Sequence, residues 1–147
     1  MSISSLSALL ITHATGVTGT VNSWDDGTMP PGVSTAQLPA WICLFEGYTD
    51  VPSDFSGRGR SKTYVFRHRL LLEAVGQRTL AAALKDVRTM VAEYATDLAA
   101  NPFLSDTGVA GIGRVTLHIP APGIGSVKWA EQDYFGSDIL VTIEEVF

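Results

Sequence analysis

The sequence predicts an α+β fold: an antiparallel sheet of about four strands with two helices packed on one face. Three observations carry that expectation. One long stretch places apolar residues at alternating spacings of four and three, which marks a helix with a single buried stripe. Several other stretches alternate apolar and polar residues, as half-buried strands do. The strands follow one another in runs that hairpins can join, without the strand–helix–strand repeats of a parallel sheet. At 147 residues, 46% of them hydrophobic, the chain suits a single domain spanning 1–147, with enough apolar surface to cover both a sheet face and a helix stripe.

Ser2 to His13 carries Ile3, Leu6, Leu10 and His13 at helical spacing, with serines to cap it and Gly16 to stop it. Thr15 to Leu38 is rich in Gly, Thr, Asp and Pro and contains Asp26-Gly27 and Pro30-Pro31-Gly32, so it is expected to be a long loop. Pro39 to Glu46 is apolar and aromatic enough for a strand, and Tyr64 to Val75 forms a second one. In the latter, Tyr64, Phe66, Leu70, Leu72 and Ala74 share one face and Thr63, Arg67, Arg69 and Glu73 the other. Tyr48 to Ser61, with its Asp, Pro, Gly and Arg, reads as an exposed connection between these strands.

Gln77 to Ala100 gives the clearest signal, with Leu80, Leu84, Val87, Val91, Tyr94 and Leu98 along one stripe. Asn101-Pro102 ends the helix, because proline disfavours helical geometry in the residue before it. Two or three further strands are expected: Gly113 to Pro120, Ser137 to Phe147 and, as the optional third, a short piece from Ser126 to Ala130.

No catalytic, cofactor or metal site is expected. His13, His68, His118 and Cys43 are not at ligand spacings, and His68 and His118 fall on opposite kinds of strand face. Cys43, within Trp41-Ile42-Cys43-Leu44-Phe45, reads as a buried packing thiol. No nucleophile elbow occurs. Asp25-Asp26-Gly27 lacks the spaced oxygen ligands of a calcium loop and reads as a turn. Gly108, Gly111 and Gly113 precede a strand, whereas phosphate-binding glycines follow one and open a helix. A net charge of -5 without a Lys/Arg cluster weighs against gripping nucleic acid. The apolar run from Leu6 to Ile11 is too short to span a bilayer and has no basic leader, so no membrane association is expected. Arg58 and Arg60 with Lys62, and Arg67 with Arg69, make a small basic patch that reads either as a solvated strand face or as an ionic contact with a neighbouring subunit, and Asp50, Asp54, Arg58, Arg60, Arg67 and Arg69 are the candidate subunit and partner interface.

The order of elements resembles that of the tail terminator (tail-completion) proteins of long-tailed bacteriophages. The pieces that carry the resemblance are Ser2 to His13, Pro39 to Glu46 followed by Lys62 to Val75, Gln77 to Ala100, and the closing run from Tyr134 to Phe147. The resemblance implies a structural virion protein with no enzymatic activity, assembled in the host cytoplasm. It implies a homohexameric ring that caps the tail tube protein, ends polymerisation and offers a surface to the head–tail connector. DNA would pass through its bore without specific binding. The loops at 15–38 and 48–61 would carry the partner contacts. The long Pro/Gly-rich stretch from Gly19 to Pro39 departs from a clean match. The same architecture suits another neck or head–tail connector protein, and a non-viral protein-binding adaptor is the alternative from a different class.

Overall fold

The computed structural model describes residues 3–52, 60–76, 78–101, 112–120 and 123–146. Helix α1 (Ile3–Thr15) turns Leu6, Leu10, His13 and Ala14 inward, a spacing that places them on one face of a helix. It stops at Gly16, whose N–H meets the carbonyls of Thr12 and His13. Four strands and a second helix build the centre of the molecule: β1 (Asn22–Asp25), β2 (Ala40–Pro52), β3 (Arg60–Ala74), α2 (Leu80–Ala100) and β4 (Ile112–His118). The hairpin of β5 (Gly125–Trp129) and β6 (Gln132–Val146) closes the chain. Ala130 and Glu131 turn this hairpin, both with positive φ, the backbone that tight two-residue hairpin turns require.

The sheet runs β1-β2-β3-β6-β4, with β5 also on β6. Since β3 pairs with β6 along residues 134–146, β4 and β5 occupy successive stretches of β6's other side. All these pairs are antiparallel except β1 with β2. The α+β class expected from sequence is therefore the observed one, with six strands in place of about four.

Both helices pack on one face. There Leu6 and Leu10 of α1 and Val87, Tyr94 and Leu98 of α2 meet Trp41, Phe66, Leu70, Ile139, Val141 and Ile143 of the sheet. At one end of the opposite face a second, smaller cluster forms. Ile42, Leu71 and Tyr134 are covered there by Met29, Val33 and Leu38.

Four local expectations are corrected. The stretch expected as a loop over 15–38 contains β1 and a 3-10 turn (Thr35–Gln37). Trp24, Met29, Val33 and Leu38 explain this, being spaced apolar anchors for the second cluster. Much of the connection expected over 48–61 is strand: β2 runs on to Pro52, β3 starts at Arg60, and Thr49 pairs with Thr63. Residues 53–59 lie outside the described residues. Helix α2 begins at Leu80, with the Thr79 hydroxyl accepting the Ala82 N–H. Its buried face is Ala83, Val87, Met90, Val91, Tyr94 and Leu98, while Leu80 is exposed and Leu84 half-buried. Finally, Ala74 packs with the second cluster. A register shift between Leu71 and Glu73 reverses the inward and outward alternation there.

Candidate assembly interface

The sheet face opposite the helices carries a ladder of charges. Arg69 faces Asp138 across the β3–β6 pair and grips it with two parallel bonds, Nε to Oδ1 at 2.7 Å and Nη2 to Oδ2 at 3.0 Å. Its remaining Nη1 donates to the Lys128 carbonyl on β5 at 3.1 Å. One step along β3, Arg67 donates to the same Asp138 Oδ2 from Nη1 at 2.9 Å and from Nε to Glu46 on β2. The ladder thus ties together β2, β3, β6 and β5. Burial pushes the Asp138 carboxyl up, but the hydrogen bonds and charges of Arg69 and Arg67 together outweigh it and hold the group below the usual carboxylate range. The Glu46 hydrogen bond, followed by that of Asp138, raises the Arg67 guanidinium above its ordinary value.

The residues singled out from sequence fare differently. Arg67 and Arg69 come together, but their charge is matched within the chain. Asp50 is exposed on β2, opposite Lys62. Arg60 stands opposite Pro52 at the start of β3. Asp54 and Arg58 lie outside the described residues. Glu46 and Asp138 were not legible as partners. Each stands more than 20 residues from the arginine it holds, and strand register alone brings them together.

The titratable groups of the core serve packing. His68 is fully buried, edge-on to both Trp41 and Tyr94. Its Nδ1 lies 2.6 Å from the Tyr94 hydroxyl, and Nε2 has no hydrogen-bond partner among the described residues. Burial pushes its pKa down to about 3, so the imidazole is neutral at physiological pH. Cys43 is a buried free thiol, as its sequence context suggested, and burial pushes it up to about 12. His118 is exposed. His13 of α1 pairs with Asp97 of α2 and clasps the two helices.

Beside that clasp lies an open groove of about 630 Å³, lined by Thr12, His13, Gly16, Val17, Glu93 and Asp97. Its acids are engaged within the chain: Glu93 accepts from the Thr18 N–H and hydroxyl, and Asp97 holds His13. Asp25 Oδ1 accepts from the Gly27 N–H and the Thr28 hydroxyl, which makes Asp25-Asp26-Gly27 a turn. Among the described residues, no three His, Cys, Asp or Glu side chains gather as a metal site would require. No described helix is long and apolar enough to cross a membrane. No family model matches the chain, and no curated protein matches it.

Proposed function

We propose that this protein is a tail terminator: a small structural subunit that forms a homohexameric ring on the end of a viral tail tube, stops its growth and presents a surface to the head–tail connector. The reading rests chiefly on the order and layering of elements. A starting helix, a long strand pair, a long second helix and closing strands share one sheet, with both helices on a single face. The opposite face, away from the segment over Ile42 and Leu71, carries a charge ladder satisfied within the chain, which fixes the strands relative to one another.

The acidic balance of the chain, -5, suits a bore through which DNA passes without adhering, since a positive lumen would retain phosphates. Work of this kind is steric and interfacial, and it asks of the protein a rigid frame and accessible edges.

Two measurements test the proposal together. Native mass across a concentration series should give a discrete assembly of six copies. Added to polymerising tail tube protein, the assembly should bind tube ends and shorten the tubes. A protein that stays monomeric at every concentration and leaves tube length unchanged would refute the reading.

A further inference from the structure

The run of strands β2-β3-β6-β4 leaves two open edges at the same height. β1 pairs with β2 only from Ala40 to Cys43, so over residues 44–52 no described strand lies on β2's outer side. β4 is the last strand on the opposite margin, and no described strand covers its outer side either. Register across the sheet shows that these edges are level. Tyr48 stands opposite Tyr64, Tyr64 opposite Ile143, and Ile143 opposite Val115. Phe45 connects in the same way through Phe66 and Val141 to Leu117. Because each of the three pairings is antiparallel, β2 and β4 run in opposite directions.

That geometry has a definite consequence for self-assembly. Placed beside a second copy in the same orientation, β4 of one meets β2 of the next as an antiparallel pair, the stronger of the two ladder types. Since the edges are level, copies can add in this register without an offset along the strands, and such a head-to-tail contact forms a ring where its rotation closes and a filament where it does not.

By sequence, residues 44–52 carry Glu46 and Asp50 and no basic residue, while β4 carries Arg114 and no acidic one, so a β2–β4 contact avoids the like charges that a β2–β2 contact would bring together. Tyr48, 57% exposed, sits beside the open edge where a neighbouring strand would cover it. The register shift between Phe45 and Gly47 breaks the β2 edge into short runs, which limits the length of any one pair.

We infer that copies of this chain join by adding β4 of one to the open 44–52 edge of β2 in the next, so that one sheet continues around the ring. The inference rests on the ring proposed above and names its contact.

A disulfide reports it. Tyr48 and Val115 lie at one height but three strand spacings apart, roughly 14 Å, too far to be bridged within one copy. Oxidation of the Tyr48→Cys/Val115→Cys double variant should give covalent species from dimers up to the size of the native assembly, collapsing to monomer with reductant. The Tyr48→Cys/Leu117→Cys pair repeats the test for a two-residue slip, and Cys43, buried, stays out of the exchange. Circular dichroism and thermal unfolding confirm that each variant is folded. If the wild type assembles and neither folded pair cross-links, the edge contact is overturned and the ring reading stands. Covalent dimers alone would indicate a two-fold contact and overturn the inference. A monomer at every concentration removes the ring, and the edge contact with it.

Discussion

Acidification should weaken the fold through His68 before it reaches most carboxylates. The folded imidazole, pushed down to about 3 by burial, stays neutral, while the unfolded chain's histidine takes up a proton near its ordinary 6.5. Between those values the unfolded state binds the extra proton, so stability rises with pH and is lost as pH falls below about 6.5. One proton corresponds to about 1.4 kcal/mol per pH unit, so moving from pH 6.5 to 4.5 should cost about 2.5 kcal/mol from this residue. For a domain of this length that lowers Tm by roughly 5–10 °C. The groups facing the ring do not offset it, since burial also raises the Tyr94 hydroxyl well above its ordinary value and the Cys43 thiol to about 12, which leaves both uncharged. Urea unfolding at half-unit pH intervals, on wild type and His68→Phe, isolates the contribution. The variant loses the Tyr94 hydrogen bond at every pH, about 1–3 kcal/mol, but its stability should be flatter by nearly one proton between pH 4.5 and 6.5. Equal slopes, or an NMR titration of the folded His68 ring near 6.5, would refute the argument.

Three further outcomes follow from packing and charge. Gly136→Ala would set a Cβ 1.9 Å from the Leu70 carbonyl oxygen and 3.1 Å from Val127 Cγ2. Backbone cannot rotate away, so the strands must part at a cost of about 3 kcal/mol or more, read as a lower urea midpoint. Leu98→Ala should cost about 3 kcal/mol as a buried leucine, whereas Leu84→Ala, at a half-buried position, should cost about 1 kcal/mol. Equal losses at the two sites would mean that the buried face of α2 is misassigned. Asp138→Asn should cost about 2 kcal/mol by weakening its charge-assisted bonds to Arg67 and Arg69. Because the Asp138 carboxyl is held low, its contribution is present above the ordinary carboxylate pKa and fades as pH falls through the lowered folded value. A Cm difference between Asp138→Asn and wild type that stays constant down to pH 2 would contradict this.

The class of the fold was legible because the sheet core alternates cleanly. Val115 and Leu117, or Ile139, Val141 and Ile143, announce half-buried strands by themselves. The α2 stripe was legible from Val87 to Leu98, Met90 apart, but not at its start. Periodicity carried the stripe back to Leu80, but the helix has only just begun there and the side chain stands clear of the sheet. What sequence hid was long-range. β1 is four residues long and pairs in parallel, and nothing in Asn22-Ser23-Trp24-Asp25 alternates strongly enough to separate it from the turns around it. The length of β2 and β3 was hidden for a related reason. Polar residues such as Thr49, Asp50, Lys62 and Thr63 look like loop until their partners are known, since Thr49 and Asp50 are both exposed and this end of the strand pair needs no apolar side chain on either face.

The same reasoning explains why the candidate interface moved. Clustered arginines in an acidic chain suggested a patch awaiting an outside anion, yet Arg67 and Arg69 lie on a β3 face whose neighbours supply Glu46 and Asp138 at matching heights. A planar guanidinium held by two carboxylate bonds has little left to offer a partner. What it fixes instead is the relative position of β2, β3 and β6, the strands that set β2 and β4 at equal height on opposite margins. If the edges are where copies meet, the ladder acts on assembly indirectly. Asp138→Asn should then loosen the ring in proportion to the stability it loses, whereas a substitution at the exposed Tyr48 should weaken the ring with little change in the Tm of the isolated chain.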